Sequence, residues 1–233
     1  MTLERLRKGQ VLLIDKPLDW TSFDIVNKLR YAILKRHNIK KFKVGHAGTL
    51  DPLATGLLIV CVGKATKTIN EYQSLGKEYT GTFFLGATTP SYDMETTPDE
   101  HFPISHITET MIRETAQSFI GKQKQIPPIF SAIKKGGKKM YEHARKGEKV
   151  VMEPRDIEIF EFEITKIDLP KISFRVSVSK GTYIRSLAYD FGKTLNSGAY
   201  LSALRRTKIG NFSVDNAVSY QEWITALQQD HED

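Results

Sequence analysis

Between Ile172 and Val178 the chain alternates without exception, with Ile172, Phe174, Val176 and Val178 on one side and Ser173, Arg175 and Ser177 on the other. A period of two sends successive side chains to opposite faces of a strand, so this segment demands a sheet with one face buried. The next apolar pattern has the other period. Ile184, Leu187, Ala188, Phe191 and Leu195 predict a helix over Tyr183 to Leu195. A chain that carries both patterns side by side must stack helices on a sheet to bury them.

The remaining elements follow the same logic. Gln10 to Asp15 predicts a short buried strand ending at Lys16-Pro17. Thr21 or Ser22 can cap a helix whose inward face is read from Phe23, Val26, Leu29 and Ile33. Leu57 to Val62 and Glu78 to Leu85 predict strands, and Thr108 to Ile120 a helix capped by Thr108. Ser219 and Glu222 form a capping-box pattern at the start of a last helix around Trp223. Strands and helices mix without regular alternation or repeat, and Gln123 to Lys149 is polar, basic and Gly/Pro-containing. The expectation is an α+β domain with a basic insertion at about 121–150.

Composition narrows the class. The 233 residues are 40% hydrophobic and 26% charged, enough apolar surface for a core and no sign of a mainly disordered chain. Leu57 to Val62 is too short to cross a bilayer, and the charged first ten residues lead into no apolar signal region. A single cysteine, Cys61, excludes an intramolecular disulfide framework and a multi-cysteine zinc site. These features predict a cytoplasmic globular protein.

The net charge of +7 is unevenly spread. Lys28 to Lys67 holds nine Lys or Arg against one acid, Asp51, and Lys122 to Lys149 holds nine more against Glu142 and Glu148. Asp93 to Glu114, by contrast, carries six acids and only Arg113. Such segregation suggests one face for a polyanion, although charge runs also occur as plain solvated surface. Phe42, His46, Tyr141 and His143, mixed into the basic runs, have the flat rings that stack on unpaired bases.

Several common chemistries drop out. Gly192-Lys193-Thr194 lacks the glycine that a phosphate-binding loop needs five residues earlier, where Leu187 stands. None of the six histidines has HExxH spacing, no G-x-S-x-G elbow occurs, and Cys61 sits in an apolar run as an inert thiol would.

The most informative stretch is Gly45 to Gly56, with three glycines, one proline, one histidine and one carboxylate directly before a strand. Pro52 biases Asp51 away from helix, and the glycines permit tight turns and close approach of a bulky ligand. Spacing leaves two readings of Asp51: an Asp-Pro turn residue, or a carboxylate kept ionised by a basic neighbourhood.

The residues of this stretch go further than its spacing. GHAGTLDPLATGLL closely resembles the catalytic loop of the pseudouridine synthases that modify uridine 55 in the T loop of tRNA. The likeness recurs in family order. VLLIDKP (Val11–Pro17) looks like the family's Lys-Pro motif, and Lys77-Glu78-Tyr79 running to Leu85-Gly86 like its tyrosine strand. Ile126 to Glu148 is similar to its RNA-gripping insertion, KGTYIRSL (Lys180–Leu187) to its arginine motif, and Leu204-Arg205-Arg206 to its closing Leu-Arg-Arg. Many bacterial members carry a further small RNA-binding domain, whereas this chain stops at Asp233.

The resemblance implies a pseudouridine synthase fold, a mixed central β-sheet flanked by helices around a catalytic cleft. It implies one catalytic domain over 1–233 without the C-terminal RNA-binding domain. It implies Asp51 as the catalytic carboxylate, attacking C1′ or C6 or deprotonating the sugar, with Arg185 as its partner and Tyr79 stacked on the target uracil. His46 would fill the space of the flipped nucleotide or meet its phosphate, and Leu204 would wall the base. Lys16, Lys64, Lys180, Arg205 and Arg206 would contact phosphates, with Tyr183, Lys138 and Lys139 also binding RNA. No metal, cofactor, membrane or protein partner is implied, and a monomer acting on the tRNA T arm is the expectation. Two other readings are a guide-RNA-dependent relative and a non-catalytic tRNA-folding protein.

Overall fold

A computed structural model describes residues 1–131, 134–135, 138–139 and 152–229. A short helix α1 (Leu3–Lys8) leads into β1 (Gln10–Lys16), α2 (Ser22–Arg36), β2 (Val44–His46) and the long β3 (Ala54–Val62). A 3-10 turn (Gly63–Thr68) and α3 (Ile69–Ser74) precede β4 (Lys77–Leu85). Two short strands, β5 (Ala87–Thr88) and β6 (Glu100–His101), then α4 (Glu109–Ser118) and β7 (Gly121–Gln125) follow. After β8 (Lys134–Lys135) and β9 (Lys138–Lys139) come β10 (Arg155–Asp168), β11 (Lys171–Val178) and α5 (Ile184–Thr194). The chain closes with β12 (Ala199–Ile209), β13 (Phe212–Ser213) and α6 (Tyr220–Gln229). This is the expected α+β mixture.

The chain divides into two compact units, Met1–Tyr79 with Leu204–Asp233, and Thr80–Ala203, and β4 and β12 carry it from one to the other. In the first unit β3 is the central strand. It pairs antiparallel with β1 along one edge; on the other, β2 pairs with its C-terminal end and β12 runs parallel to its N-terminal end. Leu58, Val60 and Val62 of β3 pack with Ile25, Val26, Leu29 and Ile33 of α2 and with Trp223 and Leu227 of α6. Leu57, Ile59 and Cys61 enter a second cluster with Ala47 and Ile209. Burial on both faces is why β3 reads as a continuous apolar run.

Helix α2 corrects one expected contact. Phe23 is 60% exposed, and the buried stripe runs instead through Ser22, Ile25, Val26, Leu29 and Ile33. Thr21 caps the helix in a full capping box with Asp24, which leaves Ser22 as the first inward residue. Ser219 and Glu222 likewise exchange hydrogen bonds of 2.7 and 3.1 Å at the entry to α6.

In the second unit the strand order is β4-β11-β10-β7. The four alternating residues of β11 are all buried as expected, and Phe83, Phe162, Phe174 and Phe191 form an aromatic core with centroids 4.2 to 6.2 Å apart. Gly121–Gln125, expected at the start of the basic insertion, is instead a sheet strand paired with β10 from Arg155 to Ile159. Lys134–Lys135 and Lys138–Lys139 pair antiparallel as a short hairpin. The rest of the insertion between 132 and 151, Tyr141 and His143 included, lies outside the described residues.

Candidate active site

The loop from Ala47 to Leu53 joins β2 to β3, and buried groups of its own unit fix it from several sides. Ala47 donates its N–H to the Ile59 carbonyl at 2.9 Å. Buried Ser22, from the first turn of α2, accepts the Leu50 N–H at 2.8 Å and donates its hydroxyl back to the Leu50 carbonyl at 3.2 Å. The Asp19 N–H reaches the Pro52 carbonyl at 2.9 Å, and Ala54 closes the Asp-Pro turn on the Asp51 carbonyl at 3.0 Å. Two backbone dihedrals require glycine. Gly48 has φ of +99° and Gly56 +102°, and a Cβ on Gly56 would lie 2.3 Å from the Arg206 carbonyl of the paired strand. Asp51 emerges half-buried from this frame.

Two cations that the sequence placed at the RNA surface belong to the frame instead. Arg206 is buried, and its Nε donates to the Leu57 carbonyl at 2.8 Å, Nη2 to Gly48 at 3.2 Å and Nη1 to Thr49 at 3.4 Å. Lys16 is fully buried, with Nζ donating to the carbonyls of Pro17, Trp20 and Pro52. Neither cation reaches the surface, because the loop turns its carbonyls inward and each needs a donor there. Burial pushes the Lys16 ammonium down to about 8, against the opposing fields of Asp51 and Asp19. Arg205 is half-exposed and bidentate to Asp15, at 2.7 and 3.0 Å, so its charge is already matched.

His46 sits at the end of β2. Burial, with the Arg206 charge in the same direction, holds its ring below the ordinary histidine value against an opposing backbone bond at Gly48, so it is neutral near pH 7. Phe42 is half-buried and packs on the α2 core. Lys64 is exposed on the 3-10 turn, Leu204 is half-buried at the parallel pairing with Ala54, and Tyr79 is buried on β4. Cys61 is buried, and its thiol is pushed up to about 11 by desolvation, as suits an inert core residue.

Arg185 belongs to the second unit, in the first turn of α5. It is buried rather than a surface arginine. Its Nη1 donates to the Ser91 carbonyl at 3.4 Å and its Nε lies 3.7 Å from Asp93 Oδ2, both side chains being about nine-tenths hidden. Asp93 is a buried partner of Arg185 that sequence reasoning missed, since it was counted in an acidic run. The α5 entry is fixed by a second missed residue, Gln125, whose amide pairs with both backbone groups of Tyr183 at 2.8 and 3.0 Å. Ser186 adds a bond to the Ile126 carbonyl at 2.7 Å. Lys180 is exposed and Tyr183 half-buried just before the helix. Among the described residues, no cluster of three or more His, Cys, Asp or Glu is placed to hold a metal ion.

The chain that builds this frame also matches known proteins. Residues 35–184 match the model described as TruB family pseudouridylate synthase, N terminal domain. The chain belongs to this family. Residues 185–233 match the model of the tRNA pseudouridylate synthase B C-terminal domain. The tRNA pseudouridine synthase B of Flavobacterium johnsoniae is 61% identical over 98% of this chain and 100% of its own length. That of Phocaeicola vulgatus is 52% identical over 94% of each. Among solved structures, a chain of a Cbf5-Nop10-Gar1 complex aligns with a TM-score of 0.71 at 29% identity. The alignment covers 97% of this chain, which spans 56% of the length of that one. The fold is therefore that of the pseudouridine synthases, and this TruB-family chain is an isomerase.

Proposed function

We propose that this enzyme converts uridine 55 in the T loop of tRNA to pseudouridine, acting in the cytoplasm as a monomer without guide RNA or protein partner. The 233 residues act in this reading as one catalytic domain. Full-length relatives named tRNA pseudouridine synthase B support the substrate. The observation that carries the chemistry is Asp51, a half-buried carboxylate on a turn whose neighbours Leu50 and Pro52 are both tied to buried partners.

The reaction breaks the bond from N1 to C1′, turns the uracil and forms a bond from C5 to C1′. N1 gains a proton and C5 loses one, so atoms and electrons balance with no redox step. Asp51 acts on the nucleoside at C1′, at C6 or on the sugar, three routes that all need an ionised and aimed carboxylate. In this reading Arg185 aims that carboxylate, and its own burial beside Asp93 supports a fixed guanidinium rather than a mobile surface one. Tyr79 stacks on the uracil and Leu204 walls it. The target must leave its stack, at a cost of about a few kcal/mol. The neutral ring of His46 supports a role in filling the vacated space more than in binding a phosphate by charge. Lys64, Lys180, Tyr183, Lys138 and Lys139 serve the RNA backbone.

The test is tritium release from C5-labelled uridine in a T-arm stem-loop, with wild type and Asp51→Asn measured together. Release by wild type, mapped to the T-loop uridine, and none by the variant, which still binds the RNA, is expected. Near-normal release by Asp51→Asn removes the carboxylate from catalysis. Binding without release, from stem-loop and whole tRNA alike, points to a guide RNA or to a folding role.

A further inference from the structure

β7 ends on a glutamine at a position that is buried. Gln125 is only 4% exposed, where an aliphatic side chain would make no demand for partners. An amide hidden to that degree is costly unless both of its halves are bonded. Both are. Oε1 accepts the Tyr183 N–H at 2.8 Å, and Nε2 donates to the Tyr183 carbonyl at 3.0 Å. That carbonyl also accepts the first helical bond of α5, from the Leu187 N–H at 3.1 Å. No side chain caps α5 from Tyr183, so the amide of a strand residue 58 positions away orders the helix entry instead. The next residue repeats the tie, the Ile126 carbonyl accepting the Ser186 hydroxyl at 2.7 Å. Gln125 and Ile126 thus hold the chain on either side of Arg185.

We propose that Gln125 is a positioning residue for Arg185: it fixes the entry of α5, and with it the place of the guanidinium that turnover needs. The inference rests on the reading of Arg185 as the partner of Asp51. Ser91 and Asp93 meet the guanidinium itself, whereas Gln125 fixes the backbone that carries it. A helix turns by about 100° per residue, so an entry that slips or frays swings a first-turn side chain out of line. At a reacting centre a misplacement of about 1 Å costs about a hundredfold in rate.

Gln123 supplies the control. It stands two residues earlier on the same strand, and its amide bonds the Phe119 carbonyl at 2.6 Å. Gln123→Met therefore removes a side-chain bond from β7 and leaves the α5 entry alone.

The experiment measures single-turnover tritium release at saturating T-arm RNA, RNA affinity and melting temperature for wild type, Gln125→Met and Gln123→Met. Rates are read well below the lowest of the melting temperatures. Gln125→Met is expected to be slower by about tenfold to hundredfold with RNA affinity within about twofold of wild type, because the arginine is misplaced and the RNA surface is not. Gln123→Met is expected to turn over at the wild-type rate. A Gln125→Met enzyme near wild-type speed overturns the proposal. An equal loss of rate in Gln123→Met overturns it too, since the glutamines would then serve only the strand. If Gln125→Met does not fold, Gln125→Asn, whose amide is drawn back by one methylene, replaces it, and wild-type speed in that variant is equally fatal. No turnover by wild type sinks instead the assignment of function, and wild-type speed in Arg185→Met sinks the reading of Arg185 on which this rests.

Discussion

Arg206 serves the carbonyls of Leu57, Gly48 and Thr49 with three separate nitrogens, a geometry that one ammonium cannot copy. Arg206→Lys is expected to lower stability by about 2–3 kcal/mol, read as a reduced urea midpoint, because buried loop carbonyls lose their donors. Turnover should fall more than RNA affinity, and the reverse pattern would return Arg206 to the phosphate contacts. At this scale glycines, a proline and a lone acid marked the short loop of Asp51, but spacing left two readings of the carboxylate and only the family resemblance gave it a role. Lys16, Arg206 and Asp93 were not legible. A charged residue type reads as surface, and what buries it is a set of carbonyls or a counter-charge from distant positions in the chain. Asp93 lies 92 residues before its Arg185 partner.

At the scale of elements, Gly56 shows how one backbone position can set a strand pair. Its Cβ would strike the Arg206 carbonyl at 2.3 Å with φ already at +102°, whereas a Cβ on Gly48 meets nothing closer than 3.7 Å. Gly56→Ala is expected to cost about 2–4 kcal/mol by thermal or urea unfolding, and Gly48→Ala clearly less. Equal losses would mean that dihedral strain alone, and not the closeness of β12, decides. Strands with clean alternation, such as β11, were legible, and so was the capping box of Ser219 and Glu222, whereas the box of Thr21 with Asp24 was not. Nor was β10. Its ladder with β11 shifts register between Ile159 and Glu161 and again between Ile164 and Lys166, so the buried Ile157, Ile159, Phe162 and Ile164 break the period of two. The expected place of Phe23 failed for a related reason. A helical stripe about a third of a turn wide admits more than one phase, and the Thr21 cap selects the phase that buries Ser22.

For the whole molecule the net charge of +7 sets the reach of the RNA interaction. Affinity for a T-arm RNA should fall steeply with salt. Replacing Lys138 and Lys139 by Glu should weaken binding most at low salt and flatten the salt slope by about one to two. An unchanged slope would exclude the β8–β9 hairpin from the RNA contacts. By itself the sequence determined the class of fold, the glycine-rich turns around Asp51 and the balance of charge, because periodicity, turn residues and charge are local properties that survive in any compact arrangement. Only the tertiary structure decided which cations stay available for RNA and which are consumed inside. Lys16 and Arg206 have the same side chains as their surface counterparts, and differ in that folding surrounds them with carbonyls that water can no longer reach.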